Sequence, residues 1–252
     1  MPYFDPDGVL SSGRAGVLGK TMNKYFLAGA LVVSTLLPAG QTVQAIERTP
    51  RAEMKTVEAA PTLVTGEDRE KVIARIEESL NKIKSLKAQF IQRAPDGTTS
   101  EGTVFLERPG KLRFDYEDDL PFLIVSDGNM LSFIDYEVDQ ITRWPIGKTP
   151  LGILVDDTVS LSGKVEVPEI IRFAGLLKVP VIDKEREEQG YITLIFEESG
   201  MELKAWEVMD AQGYLTRVAL VNPQYNVEID KDRFTYKDPR PISKRPVHGP
   251  RK

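Results

Sequence analysis

A change of hydrophobic period partway along the chain limits its fold more than any other feature. Val72, Ile76, Leu80, Ile83, Leu86 and Phe90 follow one another at intervals of three or four residues. At about 100° per residue they fall within an arc of roughly 120°, with Glu70, Lys71, Glu77 and Lys84 on the other side. This spacing predicts one long amphipathic helix that must lay a single stripe on something apolar. Thr65 with Asp68 three residues on is its predicted N-cap. From Gly97 onward the period is two. Leu112, Phe114 and Tyr116 alternate with Lys111, Arg113, Asp115 and Glu117, the pattern of a strand with one apolar and one charged face.

The strand pattern then repeats to the end of the domain. Phe122 to Ser126 and Met130 to Tyr136 flank Asp127-Gly128, a strong hairpin signal. Further strands are predicted over Gln140–Trp144, Glu166–Phe173, Val179–Asp183, Tyr191–Glu197, Leu203–Asp210 and Leu215–Val221, most of them separated by glycine turns. Pro150 before Leu151-Gly152-Ile153-Leu154 favours a short helix there. The fold class is therefore mainly β (α+β). About eleven antiparallel strands in meander order form too long a sheet to stay flat. The simplest architecture is a strongly curved sheet, or incomplete barrel, wrapped round the helix, with the domain spanning residues 66–236.

What precedes and follows that domain reads differently. Residues 22–45 begin with Lys24, continue through an uncharged run from Phe26 to Leu37, and end in Val43-Gln44-Ala45. The run is too short to span a bilayer, which takes about 20 apolar residues. It has the features of a secretory signal peptide cleaved after Ala45. Residues 1–21 precede a second methionine, Met22, and are expected to be a mis-assigned start or an extension. Residues 46–65 lack periodicity and are predicted to be a linker. The tail 237–252 is Pro-rich and holds six basic residues against one acidic, in a chain of net charge -5. A flexible, solubilising basic end on an acidic body is expected.

Composition excludes much chemistry. There are no cysteines, so disulfides, thiolate metal sites and cysteine nucleophiles are ruled out. The one histidine, His248, sits in the tail, which leaves little room for serine triads or His-ligated metals. No cofactor, no metal and no nucleic-acid partner are expected. Ser79-Leu80-Asn81-Lys82 has the S-x-x-K spacing of serine acyl enzymes but lacks the companion motifs. Gly147-Lys148-Thr149 has Thr142 where a phosphate loop needs glycine. Glu117-Asp118-Asp119 fits a solvated turn better than a calcium site.

Several segments, in order, resemble the LolA family of periplasmic outer-membrane lipoprotein carriers. They are Leu80 to Gln92 (LNKIKSLKAQFIQ), Glu107-Arg108-Pro109-Gly110-Lys111-Leu112-Arg113-Phe114, Ile124 to Gly128, Asp139 to Thr142, Thr149-Pro150-Leu151, Asp210 to Gly213 and Phe234-Thr235-Tyr236. The resemblance covers roughly residues 67–236. It implies an incomplete antiparallel barrel with a helical lid over an apolar cavity, and no catalysis. It implies acylated lipoproteins as cargo, an inner-membrane ABC transporter as donor, and an outer-membrane receptor or the outer membrane itself as acceptor. A monomer working in the periplasm of a Gram-negative bacterium is expected. Arg108 matches the arginine that holds the family's lid closed, Leu112 and Phe114 match apolar positions used in cargo handling, and Leu151 to Leu154 match the lid helix. Tyr116, Phe122, Phe133, Trp144 and Trp206 are further expected cavity residues. The alternative is a related clam-shaped periplasmic lipid-binding or envelope-stress sensor module. A hydrolase working with carboxylates alone is a more distant one.

Overall fold

The structure is a computed structural model and describes residues 60–117 and 120–240. The expected signal peptide, the segment before it, most of the expected linker, Asp118 and Asp119, and the tail from Pro241 with His248 lie outside these residues.

The chain begins with a short strand β1 (Thr62–Leu63) and a helix α1 (Gly66–Lys82). Then come β2 (Ser85–Arg93), β3 (Thr99–Glu107), β4 (Lys111–Tyr116), β5 (Phe122–Asp127), β6 (Met130–Asp135) and β7 (Gln140–Pro145). A 3-10 turn at Ile146–Lys148 and a four-residue helix α2 (Gly152–Val155) lead to β8 (Val165–Glu166) and β9 (Ile171–Phe173). The last strands are β10 (Leu176–Asp183), β11 (Gly190–Glu197), β12 (Glu202–Asp210) and β13 (Leu215–Tyr225). They form one antiparallel sheet in the order β1-β9-β10-β11-β12-β13-β2-β3-β4-β5-β6-β7, with β8 on β10. The sheet does not close on itself: β1 and β7 are its two ends. Segment 146–164 joins β7 at one end to β8 near the other.

Helix α1 is shorter than the periodicity predicts. It stops at Lys82, Ile83 is already extended, and Leu86 and Phe90 belong to β2. The physical reason is that an interval of four suits both periods. Leu86, Ala88 and Phe90 are buried while Lys87, Gln89 and Ile91 between them are exposed, so these residues also obey period two. Val72, Ile76 and Leu80 remain as the buried stripe, each worth about 1.5–3 kcal/mol of burial. Thr65 has extended N-cap geometry, but its side chain makes no cap hydrogen bond. Glu67 and Asp68 face the positive end of the helix instead. Strands β2 and β3 and the two residues of β1 are additional to the predicted strands, and Glu166–Phe173 is two short strands rather than one.

Register sorts the side chains of the sheet onto two faces. Ala88, Val104, Phe114, Ile124 and Phe133 stand opposite one another across β2 to β6, as do Val179, Leu194, Trp206 and Val218 across β10 to β13. These rows face α1, and most of their members form one buried cluster with its stripe. The outer face holds two smaller clusters. Phe105 packs with Ile229 and Phe234, and Leu123, Val125 and Ile134 pack with Tyr236. The chain after β13 therefore returns across the outside of the sheet. In the stretch expected to be linker, Thr62 and Leu63 pair with β9 and Val64 is buried.

Candidate functional site

The open side of the sheet is covered by segment 146–164, and its fastenings define the site. Arg108 stands at the β3–β4 turn, where a cis peptide bond leads to Pro109. Its guanidinium reaches inward. Nε donates to the carbonyl of Leu154 at 3.1 Å and Nη1 to the carbonyl of Leu80 at 2.6 Å. One cation thus joins the last turn of α1 to the end of α2. Both acceptors are carbonyls at helix C-terminal ends, where the partial charge is negative and a cation is favoured. Burial lowers the pKa of the half-buried guanidinium, opposed by Asp156 and Asp157. Burial in turn raises the Asp156 carboxyl, with Arg108 and then Lys164 opposing.

Four more residues tie the segment. Gly110 donates its N–H to the carbonyl of Val155 at 2.7 Å. A side chain there is impossible: a Cβ would lie 2.1 Å from the carbonyl oxygen of Gly128, and φ is +78°. Asn81 pairs with the peptide of Val159 twice, donating to its carbonyl at 2.9 Å and accepting from its N–H at 2.8 Å. Glu77 accepts from the N–H of Leu161 at 2.6 Å. On the far side Arg186 donates to the carbonyl of Gly147 at 3.2 Å.

Under this lid the interior is apolar and aromatic. Leu154, Val155, Val159 and Leu161 plug into the main cluster from above. Leu112, Phe114 and Trp206 line it from the sheet side and are buried. The rings form a connected series. Trp206 meets Phe114 at 6.3 Å, Phe114 and Tyr116 both meet Phe90 edge-on at 5.2 Å, Tyr116 meets Phe122 at 4.7 Å, and Phe122 stacks near Phe133 at 5.9 Å. Phe90 and Tyr116 meet across β3 because residue 102 is glycine: a Cβ there would lie 2.9 Å from the Phe90 ring. Tyr116 donates to Gln92 at 3.0 Å, and burial raises its pKa. In this closed arrangement the protein's own side chains fill the interior.

The expected site residues divide accordingly. Leu112, Phe114, Tyr116, Leu151, Leu154 and Trp206 belong to the interior cluster or pack on it. Phe122 and Phe133 extend it through ring contacts towards the β7 end and are only partly buried. Trp144 is partly buried on β7, opposite Leu131, and no ring contact links it to the others among the described residues. The lid helix is Gly152–Val155, one residue later than the expected Leu151 to Leu154, so Leu151 serves as its N-cap. Asn81, Glu77 and Gly110 were not expected as lid contacts. Their partners lie far along the chain, and no local pattern marks them. Ser79 donates to the carbonyl of Met201 at 2.6 Å and Lys82 pairs with Glu78, so the S-x-x-K spacing serves structural contacts. Among the described residues, no group of three or more His, Asp or Glu is placed to hold a metal ion.

Fold and site together define an open antiparallel barrel with a fastened lid over an aromatic, apolar interior. The sequence profile described as outer membrane lipoprotein carrier protein LolA matches residues 81–237, and the chain belongs to that family. It is 27% identical over 175 residues to the outer-membrane lipoprotein carrier protein of Methylococcus capsulatus, covering 66% of this chain and 83% of that one. The corresponding proteins of Legionella pneumophila strain Paris and Leptothrix cholodnii are 28% and 29% identical over 177 residues, again 66% of this chain and 86% and 82% of theirs.

Proposed function

We propose that the protein is a periplasmic carrier that takes acylated lipoproteins from an inner-membrane ABC transporter and delivers them to an outer-membrane receptor or to the outer membrane itself. The observation that carries this reading is the Arg108 tie between α1 and α2 over an apolar interior. Three acyl chains carry on the order of 45 methylenes, and at about 0.8 kcal/mol each roughly 35 kcal/mol opposes their passage through water. A carrier must offset most of that cost and still let the cargo go.

The fastened lid supplies the second requirement. Acyl chains can enter only if α2 lifts and the Arg108 hydrogen bonds break. A hydrogen bond to a charged group contributes about 1.5–3 kcal/mol. Closure of the empty form therefore competes with cargo and favours its release to an acceptor. The interior surface of Leu112, Phe114, Tyr116 and Trp206 then holds the chains by burial and shape alone, which suits cargo that differs beyond its lipid. No covalent bond is made or broken.

The test uses spheroplasts making a radiolabelled triacylated lipoprotein, incubated with the protein purified from periplasm. The expected result is labelled lipoprotein in the soluble fraction, in complex with the protein. Arg108→Leu is expected to form that complex and to pass its cargo on poorly. No soluble complex in the presence of the cognate transporter contradicts the carrier reading and favours a sensor that binds a regulator instead.

A further inference from the structure

Trp206 presents a polar atom that the packing of the closed form does not use. Its side chain is almost wholly buried, with 1% of its surface exposed. Its indole Nε1 has no hydrogen-bond partner among the described residues. Its neighbours across the sheet are Leu194 and Val218, both buried, and the nearest aromatic ring is Phe114. An indole N–H is a donor only. Left unpaired in apolar surroundings it is destabilising, and such groups in folded proteins call for an explanation. Phenylalanine would fill an apolar site without that cost. The cross-strand row that holds Trp206 and Val218 continues to Gln92 on β2. Gln92 accepts the Tyr116 hydroxyl with its carbonyl oxygen, which leaves its amide nitrogen as a second donor. The interior face thus offers N–H donors along one row.

We propose that Trp206 Nε1–H donates to an acyl carbonyl, the ester or amide oxygen at the head of a fatty chain bound in the interior. This rests on the carrier reading and adds to it a preference for acyl over alkyl chains. A hydrocarbon tail has no acceptor to offer, whereas every ester- or amide-linked chain carries one carbonyl at a fixed place. The unpaired donor also acts against Arg108. The latch favours the closed, empty form, and the unmet N–H disfavours it, so that cargo entry removes a penalty as well as burying chains.

The experiment compares two probes that differ only at the carbonyl, dioctanoylglycerol and its dialkyl ether analogue, with protein purified from periplasm and labelled with 15N-tryptophan. The chain has two tryptophans, so the spectrum has two indole signals, and Trp206→Phe assigns them. The ester is expected to bind about three- to tenfold more tightly than the ether, as for one net hydrogen bond, and to move the Trp206 indole proton downfield where the ether does not. Trp206→Phe is expected to bind both probes equally. The ratio is internal to each protein, so a general loss of affinity cancels. If that variant does not fold, Trp144→Phe assigns the two signals and the ester-specific shift of the Trp206 indole in the wild-type spectrum decides. Equal binding of both probes, a ratio retained in Trp206→Phe, or an indole signal indifferent to the ester overturns the proposal and leaves the carrier reading standing. Failure of both probes to bind overturns the two together.

Discussion

The two faces of the sheet are both covered by irregular chain, and the covers are built differently. On the helix side segment 146–164 buries the aliphatic side chains of Leu154, Val155, Val159 and Leu161, and side chains tie its backbone as well: Arg108 to Leu154, Asn81 to Val159 and Glu77 to Leu161. On the outer side the segment after β13 is held by side chains that plug. Phe234 and Ile229 pack on Phe105, Arg233 lies over the Phe105 ring at 4.8 Å, and Lys111 lies over Phe234 at 5.4 Å. Arg113 adds two bonds to the carbonyls of Arg233 and Thr235, and Arg143 donates to the Tyr236 hydroxyl. Both covers therefore bury apolar side chains and both accept side-chain hydrogen bonds on their backbone; they differ in that the helix-side cover plugs with aliphatic side chains alone and the outer strap with an aromatic ring, which exposes more apolar surface if it leaves. Under the proposed carrier function the helix-side segment is the cover that opens and the outer strap the one that stays.

The largest effect is expected on the outer strap. Phe234→Ala removes a buried ring, and a loss of about 3–5 kcal/mol of global stability is expected, read from urea unfolding with an unchanged m-value. A loss below 1 kcal/mol would reverse the ranking of the two covers. Arg108→Leu comes next. It should cost less globally, yet hydrogen exchange at the Leu154 and Asp156 amides, bonded to the carbonyls of Leu151 and Gly152, should accelerate far more than exchange in β2 or β13. These two amides report on α2 and the residue that follows it. Uniform acceleration across the sheet would mean that Arg108 holds the whole fold rather than the lid. Asn81→Ala removes both bonds to the Val159 peptide, about 1–3 kcal/mol locally. Faster exchange at Val159 with little change in melting temperature is expected.

The smallest effect is on pH dependence. Burial holds the Asp156 carboxyl above its ordinary value of 3.8 in the closed form. The closed form therefore binds its proton more readily than a form in which Asp156 is solvated. Closure should tighten as pH falls through the raised value and gain nothing more below 3.8. Asp156→Asn should flatten that part of the profile, measured as lid-amide protection against pH. An unchanged profile would assign the dependence to other groups.

Much of this was legible in the residues. The alternation of Leu112, Phe114 and Tyr116, the Asp127-Gly128 turn and the apolar runs from β10 to β13 mark a curved antiparallel sheet, because side-chain period is local. The end of α1 was not, because Leu86 and Phe90 satisfy both periods and only packing against β3 and β13 decides between them. Arg108 could be singled out through family resemblance alone. Its two acceptors are backbone carbonyls, which carry no sequence signature. The same holds for Asn81, whose partner Val159 lies 78 positions away. The unpaired Trp206 N–H is a property of packing and has no sequence counterpart.

The measurement that tests the lid account most directly is a distance across it. The chain has no cysteine, so spin labels at Thr158→Cys in the lid segment and Glu101→Cys on β3 are the only sites of attachment. Pulsed electron–electron resonance is expected to give one narrow distance in the empty protein. A second, longer population should appear on loading with lipoprotein, and should already be present in empty Arg108→Leu. A distribution that stays the same on loading, in both proteins, would contradict the claim that cargo enters by lifting the lid.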